Sequence, residues 1–345
     1  ADGDWSSDVC SSDLVAGIYD HSEDRLVLMK DHFGSKPLYY HVGEEMFIFS
    51  SSIRSIIELM EGRPTVNQDI KMDYLKYGVV DHDRRTFFED IERLKPREYA
   101  IIESKTIERG KIPWMGEGSS SIREACVKAI NSKVPEEEWC ATISGGLDSS
   151  ILVSQLSQTA EEGFSADIED DRYGEAAYRN KIVEENNIDL KTVSISFAEI
   201  IENIEDTIEF QEQPTNMAVA QAQEILFREM GKTGNEVVVT GSGADELFFG
   251  YRHFVSEAIR DSFRDEGFID GLKMLKNHFK MFDAVQSIYL LSLLIPFKPK
   301  EYLREKGIIK EKKYLKEPED YKKPEELKNP PRSLKESRNR QIEYS

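Results

Sequence analysis

Residues Trp139 to Ser150 read WCATISGGLDSS, and no other stretch constrains the chain as tightly. An apolar run from Trp139 to Ile143 ends in the pair Gly145-Gly146. Ile151, Leu152, Val153 and Leu156 then follow at helical spacing. The order is strand, tight turn, helix. Adjacent glycines let the backbone take positive φ and leave no Cβ between chain and ligand. The free N–H groups of the turn and of the first helical turn point at one spot and favour an anion there. Ser144, Ser149 and Ser150 add hydroxyl donors. The physical reading is a phosphate cradle; the plain alternative is a glycine-rich turn that binds nothing.

The surroundings of the cradle predict an α/β fold. Gly163–Ile168, Leu190–Ile195 and Glu236–Thr240 read as strands, the last being EVVVT. Between them, Ala176, Ala177, Ile182 and Val183 pattern one helix, and Phe197–Phe210 and Ala218–Met230 two more. Alternation of this kind indicates a parallel sheet covered on both faces, with ligands at the carboxyl ends of the strands. Upstream, Val15–Tyr19, Arg25–Met29, Met46–Phe49 and Tyr99–Ile102 are β-rich, and a helix opens at Ile53. The run PWMGEGSSS, Pro113 to Ser121, marks a domain boundary.

The chain has 345 residues, a length that suggests two domains. Its net charge of −20 argues against nucleic-acid or anionic-membrane partners. Cys10, Cys126 and Cys140 have neither metal nor disulfide spacing, so a reducing cytoplasm is the expected compartment. His253–Ile295 reads as helical. Within it, Ile288–Ile295 is apolar but too short to span a membrane. From Lys298 the composition turns to Lys and Glu, a solvated helix-loop face by default and a lid near the nucleotide as the minority reading.

SGGLDSS resembles the pyrophosphate-binding loop (PP-loop) of ATP pyrophosphatases, and among them of the glutamine-hydrolysing asparagine synthetases. No Gly-Lys-Ser/Thr follows the glycines, which separates it from the kinase-type P-loop. TGSGADELFFGY, Thr240 to Tyr251, is similar to the family's second loop, Gly-x-Gly-x-Asp-Glu followed by an apolar pair and Gly-Tyr. The resemblance implies an adenine nucleotide hydrolase-like synthetase domain. ATP and pyrophosphate would lie along Thr142, Ile143, Ser144, Gly145, Gly146, Leu147, Asp148, Ser149 and Ser150, with Ser165, Ala166, Thr240 and Gly241. Ser242, Gly243, Asp245 and Glu246 would face the substrate or intermediate, and Asp148 and Asp245 would bind Mg²⁺. Helix N-capping is the alternative for each aspartate and is compatible with metal binding. Glu212-Gln213-Pro214-Thr215-Asn216 is either the family's acidic-x-Pro segment at the pocket rim or a turn forced by Pro214.

Lys30 to Tyr40, KDHFGSKPLYY, and the strand and Ser-rich helix start after it resemble the second half of the family's α+β N-terminal-nucleophile glutaminase domain. Lys30 stands where the family usually has Arg, and Arg97-Glu98 where it has Pro/Gly-type turn residues. The family's N-terminal cysteine nucleophile and its glutamine-binding Arg, Asn and Asp have no counterpart. Cys10 is internal and lacks a free α-amine, so it is read as inert. Ala1–Leu14 resembles a translated sequencing adaptor, with a Ser/Asp-rich disordered arm as the alternative. The chain ends at Ser345, before the family's catalytic lysine.

The expected organisation is therefore residues 1–14 non-native, 15–113 the later part of a glutaminase-type domain and 114–345 an incomplete synthetase-type domain. The resemblance implies a ligase that converts aspartate, ATP and glutamine or ammonia to asparagine, AMP and pyrophosphate through β-aspartyl-AMP. This chain itself is expected to lack turnover. A homodimer and small-molecule substrates are the expected partners. Ser242 replaces the usual Glu and keeps open adenylation of another carboxylate, as in β-lactam synthetases, lasso-peptide cyclases or surface-sugar amidotransferases. A non-catalytic nucleotide-binding protein is the remaining alternative.

Overall fold

The computed structural model describes residues 14–44, 46–103, 106–114, 121–134, 138–156, 162–168, 175–215 and 218–281. Outside them lie the adaptor-like stretch apart from Leu14, most of the Pro113–Ser121 boundary, Asn216, the apolar run 288–295 and the Lys/Glu-rich segment. The chain divides into two compact units, one of Met115–Ala244 and one of Ala1–Trp114 with Asp245–Ser345. Each is described by itself.

In the N-terminal part of the larger unit the elements are β1 (Val15–Asp20), β2 (Arg25–Lys30), β3 (Tyr39–Val42), β4 (Phe47–Ser50), α1 (Ile53–Leu59), α2 (Gln68–Tyr77), β5 (Ile91–Arg93), β6 (Glu98–Glu103) and β7 (Thr106–Lys111). They form two antiparallel sheets, ordered β1-β2-β6-β7 and β4-β3-β5. The hairpin β1–β2 closes where Asp20 accepts from the Ser22 amide and hydroxyl and Asp24 takes φ 51°. Leu28, Leu38, Tyr40, Leu94, Ala100 and Ile102 fill one core, and Tyr39, Ile48, Ile53, Ile56 and Ile91 another. Both departures noted in the sequence have a structural account. Arg97 sits at φ 60°, a conformation suited to glycine, and its Nε donates to the Ile112 carbonyl at 2.5 Å. Lys30 is buried; desolvation, reinforced by the Arg93 guanidinium, holds its ammonium down to about 8.

The second unit contains α3 (Ile122–Asn131), β8 (Trp139–Thr142), α4 (Leu147–Leu156), β9 (Glu162–Ile168), α5 (Glu175–Asn186), β10 (Asp189–Ile195), α6 (Phe197–Glu202), α7 (Ile204–Gln211), α8 (Ala218–Gly231) and β11 (Val237–Val239). Its four strands are all parallel, in the order β10-β9-β8-β11. Alternate residues of β8 serve the two faces. Trp139 and Ala141, with Ile143 just beyond the strand, pack with Val153, Leu156 and Ile188, while Cys140 packs with Phe164, Leu226 and Met230. The expected single helix Phe197–Phe210 is two helices that meet at Asn203. The Asn203 side chain is buried and donates to Thr207 Oγ1 at 3.1 Å and to Glu224 on α8, so its amide is anchored to α8 at the break.

In the larger unit, beyond Ala244, follow α9 (Ala244–Phe248), α10 (Arg252–Asp261), a π-helical turn (Ser262–Glu266) and α11 (Phe268–Met281). The expected helix from His253 is interrupted at Gly267, which takes φ 106°.

Candidate nucleotide site

Strand order places the site. The chain runs from β8 outward to β9 and β10, then crosses to β11 on the other side of β8. Loops leaving the neighbouring strands β8 and β11 therefore emerge side by side at the carboxyl edge, where open α/β sheets bind ligands. The β8 loop is Ser144–Gly146 and the β11 loop begins at Thr240.

Thr142 ends β8, and the amide of the buried Ile143 donates to the Phe164 carbonyl at 2.7 Å. The chain then leaves the sheet. Gly145 takes φ 92°, and the Gly146 amide donates to Ser144 Oγ at 3.1 Å. Ser149 Oγ lies 3.1 Å from Ser144 Oγ, and both Ser149 and Ser150 donate to the Gly146 carbonyl, at 3.2 and 2.5 Å. These bonds stiffen the loop and leave its curvature to Gly145. Leu147 and Asp148 open α4, and the Ser150 amide donates to the Gly146 carbonyl at 3.1 Å; Leu147 is exposed and Ser149 buried.

The second loop lies against the first. A Cβ on Gly241 would stand 3.0 Å from the Ser149 amide nitrogen and 3.3 Å from Asp148 Cβ. Ser242 donates its amide to Thr240 Oγ1 at 3.3 Å, and Gly243 takes φ 92°. Thr240 and Gly241 are thus brought to the start of α4, as are Ser149 and Asp148. Ala166 lies on β9, the strand beside β8.

Asp245 and Glu246 open α9 and belong to the other compact unit. The Gly250 amide donates to the Asp245 carbonyl at 3.0 Å, and a Cβ on Gly250 would overlap the Asp245 carboxylate. Tyr251 donates to Glu246 Oε1 at 2.6 Å. The Gly-Tyr that closes the motif therefore shapes its acidic pair. At the candidate rim, Glu212 takes φ 56° and ends α7.

Among the described residues no group of three or more His, Cys, Asp or Glu is arranged to hold a metal. Mg²⁺ suits one or two carboxylates plus phosphate oxygens. Asp148, in the first turn of α4, supplies one carboxylate of the kind such a cation takes. Burial pushes the Cys140 thiol up, so it is a core residue and not a nucleophile.

Sequence reasoning overlooked one group at this edge. Arg179 of α5 is buried, and its Nη1 donates to Ser165 Oγ at 2.9 Å and to Asp167 Oδ1 at 2.5 Å. The available signal was the Ser165-x-Asp167 alternation at the end of a strand.

Comparison with known proteins agrees with this architecture. A glutamine amidotransferase domain profile matches residues 8–114. A Methanocaldococcus jannaschii protein with the provisional name asparagine synthetase [glutamine-hydrolyzing] 1 is 25% identical over 84% of this chain and 54% of its own. Asparagine synthetase [glutamine-hydrolyzing] 3 of Bacillus subtilis is 22% identical over 71% and 44%. Amidase chry2 of Gibberella zeae is 21% identical over 71% and 40%. The chain thus spans about half the length of these relatives. Among the described residues no helix is long and apolar enough to cross a membrane. An asparagine synthase profile matches residues 121–340, more than half of the sequence, and the chain belongs to the asparagine synthase family.

Proposed function

We propose that the parallel-sheet unit binds Mg·ATP and adenylates a carboxylate, as the synthetase part of a glutamine-dependent amide-forming ligase. The observation that carries this reading is the meeting of Gly241 with Ser149 and Asp148 at the switch point of the sheet. One glycine loop alone holds a phosphate. Two loops at one helix start suit pyrophosphate, the group released when ATP is cut between its α and β phosphates.

The chain's own residues divide the work. Amides of the glycine loop and of the first turn of α4 hold the pyrophosphate oxygens, with Ser144 and Ser150 shaping the loop. Asp148 would hold Mg²⁺, with Asp245 as the second carboxylate that the family's motif offers, and the bound cation would neutralise charge on the pyrophosphate. Thr142, Ile143, Ala166 and Thr240 line the nucleoside side, and Gly243 and Glu246 the acyl side. Aspartate is the acid the family membership favours, giving β-aspartyl-AMP and then asparagine with ammonia from glutamine. In this reading residues 15–113 form the glutaminase-type part and 114–345 the synthetase part of a cytoplasmic homodimer.

Ser242 supports a second reading. It is short, uncharged and exposed, with its amide tied to Thr240, so it supplies no charge to an aspartate ammonium. A related acid would then be the substrate. Pyrophosphate release from Mg·ATP by the full-length gene product, screened across free carboxylates, tests both readings. Release that depends on aspartate supports the first and release with another acid the second. Formation of ADP and phosphate contradicts both.

A further inference from the structure

The carboxyl end of β9 is built unlike the rest of the sheet. Thr142 is the last β8 residue paired with it, opposite Phe164. From Ser165 to Ile168, β9 continues beside β10, with Ser165 opposite Thr192 and Asp167 opposite Ser194. On its other side β8 has already turned into the glycine loop. Among the described residues those last four residues of β9 have no strand partner there. They form a lip beside the point where β8 gives way to the glycine loop.

Ser165 and Asp167 are two apart and share one face of that lip. Arg179 reaches both from α5. Besides the two Nη1 bonds, its Nη2 donates to Asp167 Oδ2 at 3.4 Å. The Arg179 side chain is 8% exposed, whereas that of Asp167 is 46% exposed. Burying a guanidinium is costly unless its partners fix it well. Here the cost falls on a residue that holds a strand-end carboxylate in one orientation while leaving half of it open.

The position of that carboxylate has a chemical meaning. In doubly wound sheets the phosphate-binding turn follows one strand, and about 20 residues on an acid at the end of the next parallel strand accepts hydrogen bonds from ribose hydroxyls. Asp167 occupies that place relative to Gly145 and Gly146, by strand adjacency as well as by chain distance. Strand β11 lies on the opposite side of β8, so β9 is the strand that flanks the β8 loop on this side.

We propose that Asp167 reads the ribose of the bound nucleotide by accepting from its 2′- and 3′-hydroxyls, and that Arg179 is the positioning residue that aims it. The inference rests on the reading of this unit as the ATP-binding one. Ligands lacking both hydroxyls lose the interaction, so the site selects ribonucleotides.

Equilibrium binding of Mg·ATP and of Mg·2′,3′-dideoxy-ATP by the chain and its variants tests this. The wild type is expected to prefer ATP by roughly 10–100-fold, the scale of hydrogen bonds to a charged acceptor. Asp167→Ala should bring the two affinities within about threefold of each other while leaving that for the dideoxy compound unchanged. Arg179→Lys should lower the preference part-way, a change that loss of stability alone would not produce. A wild type that binds ATP without preference, or an Asp167→Ala variant that keeps the preference, overturns the inference and leaves the ATP reading intact. A wild type that binds neither nucleotide overturns both.

Discussion

Gly241 rests on Ser149, close enough that a single added carbon would stand 3.0 Å from the Ser149 amide nitrogen. That amide belongs to backbone in the first turn of α4 and cannot swing aside as a side chain would. Gly241→Ala should therefore push the two loops apart. Mg·ATP affinity is expected to fall at least about tenfold, with Tm lower by only a few degrees. Calorimetric titration beside a thermal melt separates the effects, and unchanged affinity would contradict the contact.

Gly145 should be the costlier glycine of its pair. It takes φ 92°, whereas Gly146 has only Ser144 Oγ near its missing Cβ, at 3.2 Å. Gly145→Ala is expected to lose about 1–2 kcal/mol of stability and Gly146→Ala less than about 1. Urea unfolding of the two variants gives the order directly.

How much of this was legible beforehand depended on the kind of element. The strand β11 stood out because a strand packed on both faces reads as an unbroken β-branched run, here Val237–Val239. By contrast β7, an edge strand reading TIERGK, carries charge where a hydrophobic alternation would have announced it, and β5 is three residues long. SGGLDSS and GSGADE declared themselves through glycine spacing. The order β10-β9-β8-β11, which brings the loop after β8 and the start of the loop after β11 to one edge, is tertiary and has no local signature. Nor do single residues such as Arg179 and Asp167 stand out, since each is ordinary within its own element. Asn203 inside an otherwise helical pattern was the one local hint of the α6–α7 break.

Lys30 supplies a prediction about pH. Its ammonium is held down to about 8 in the folded chain, against about 10.4 when solvated. Between these values the unfolded chain binds the extra proton, so stability rises with pH across that window. Below about pH 8 the full cost of charging a buried amine is present. Lys30→Met should raise Tm at pH 7 and narrow its advantage over the wild type as pH climbs toward 10. An advantage that stays constant with pH would show that the ammonium is not what the substitution relieves.

Ser196 offers a local check on the sheet unit. Its side chain accepts from the Glu199 amide at 3.2 Å, while Glu199 accepts from the Ser196 amide at 2.8 Å, a reciprocal cap on α6. Ser196→Ala is expected to cost about 1 kcal/mol in chemical unfolding and to leave nucleotide binding unaltered. A loss of ATP affinity in that variant would mean that the α6 end belongs to the site.

The most direct measurement is Mg·ATP binding by the chain, with inorganic pyrophosphate as competitor and Asp148→Asn alongside the wild type. If the loops after β8 and β11 hold a pyrophosphate with its magnesium, pyrophosphate should displace ATP competitively. Removing Mg²⁺ or replacing Asp148 should each weaken ATP binding by about tenfold or more. ATP that binds equally well without Mg²⁺ and to the Asp148 variant, or that pyrophosphate fails to displace, would contradict the account.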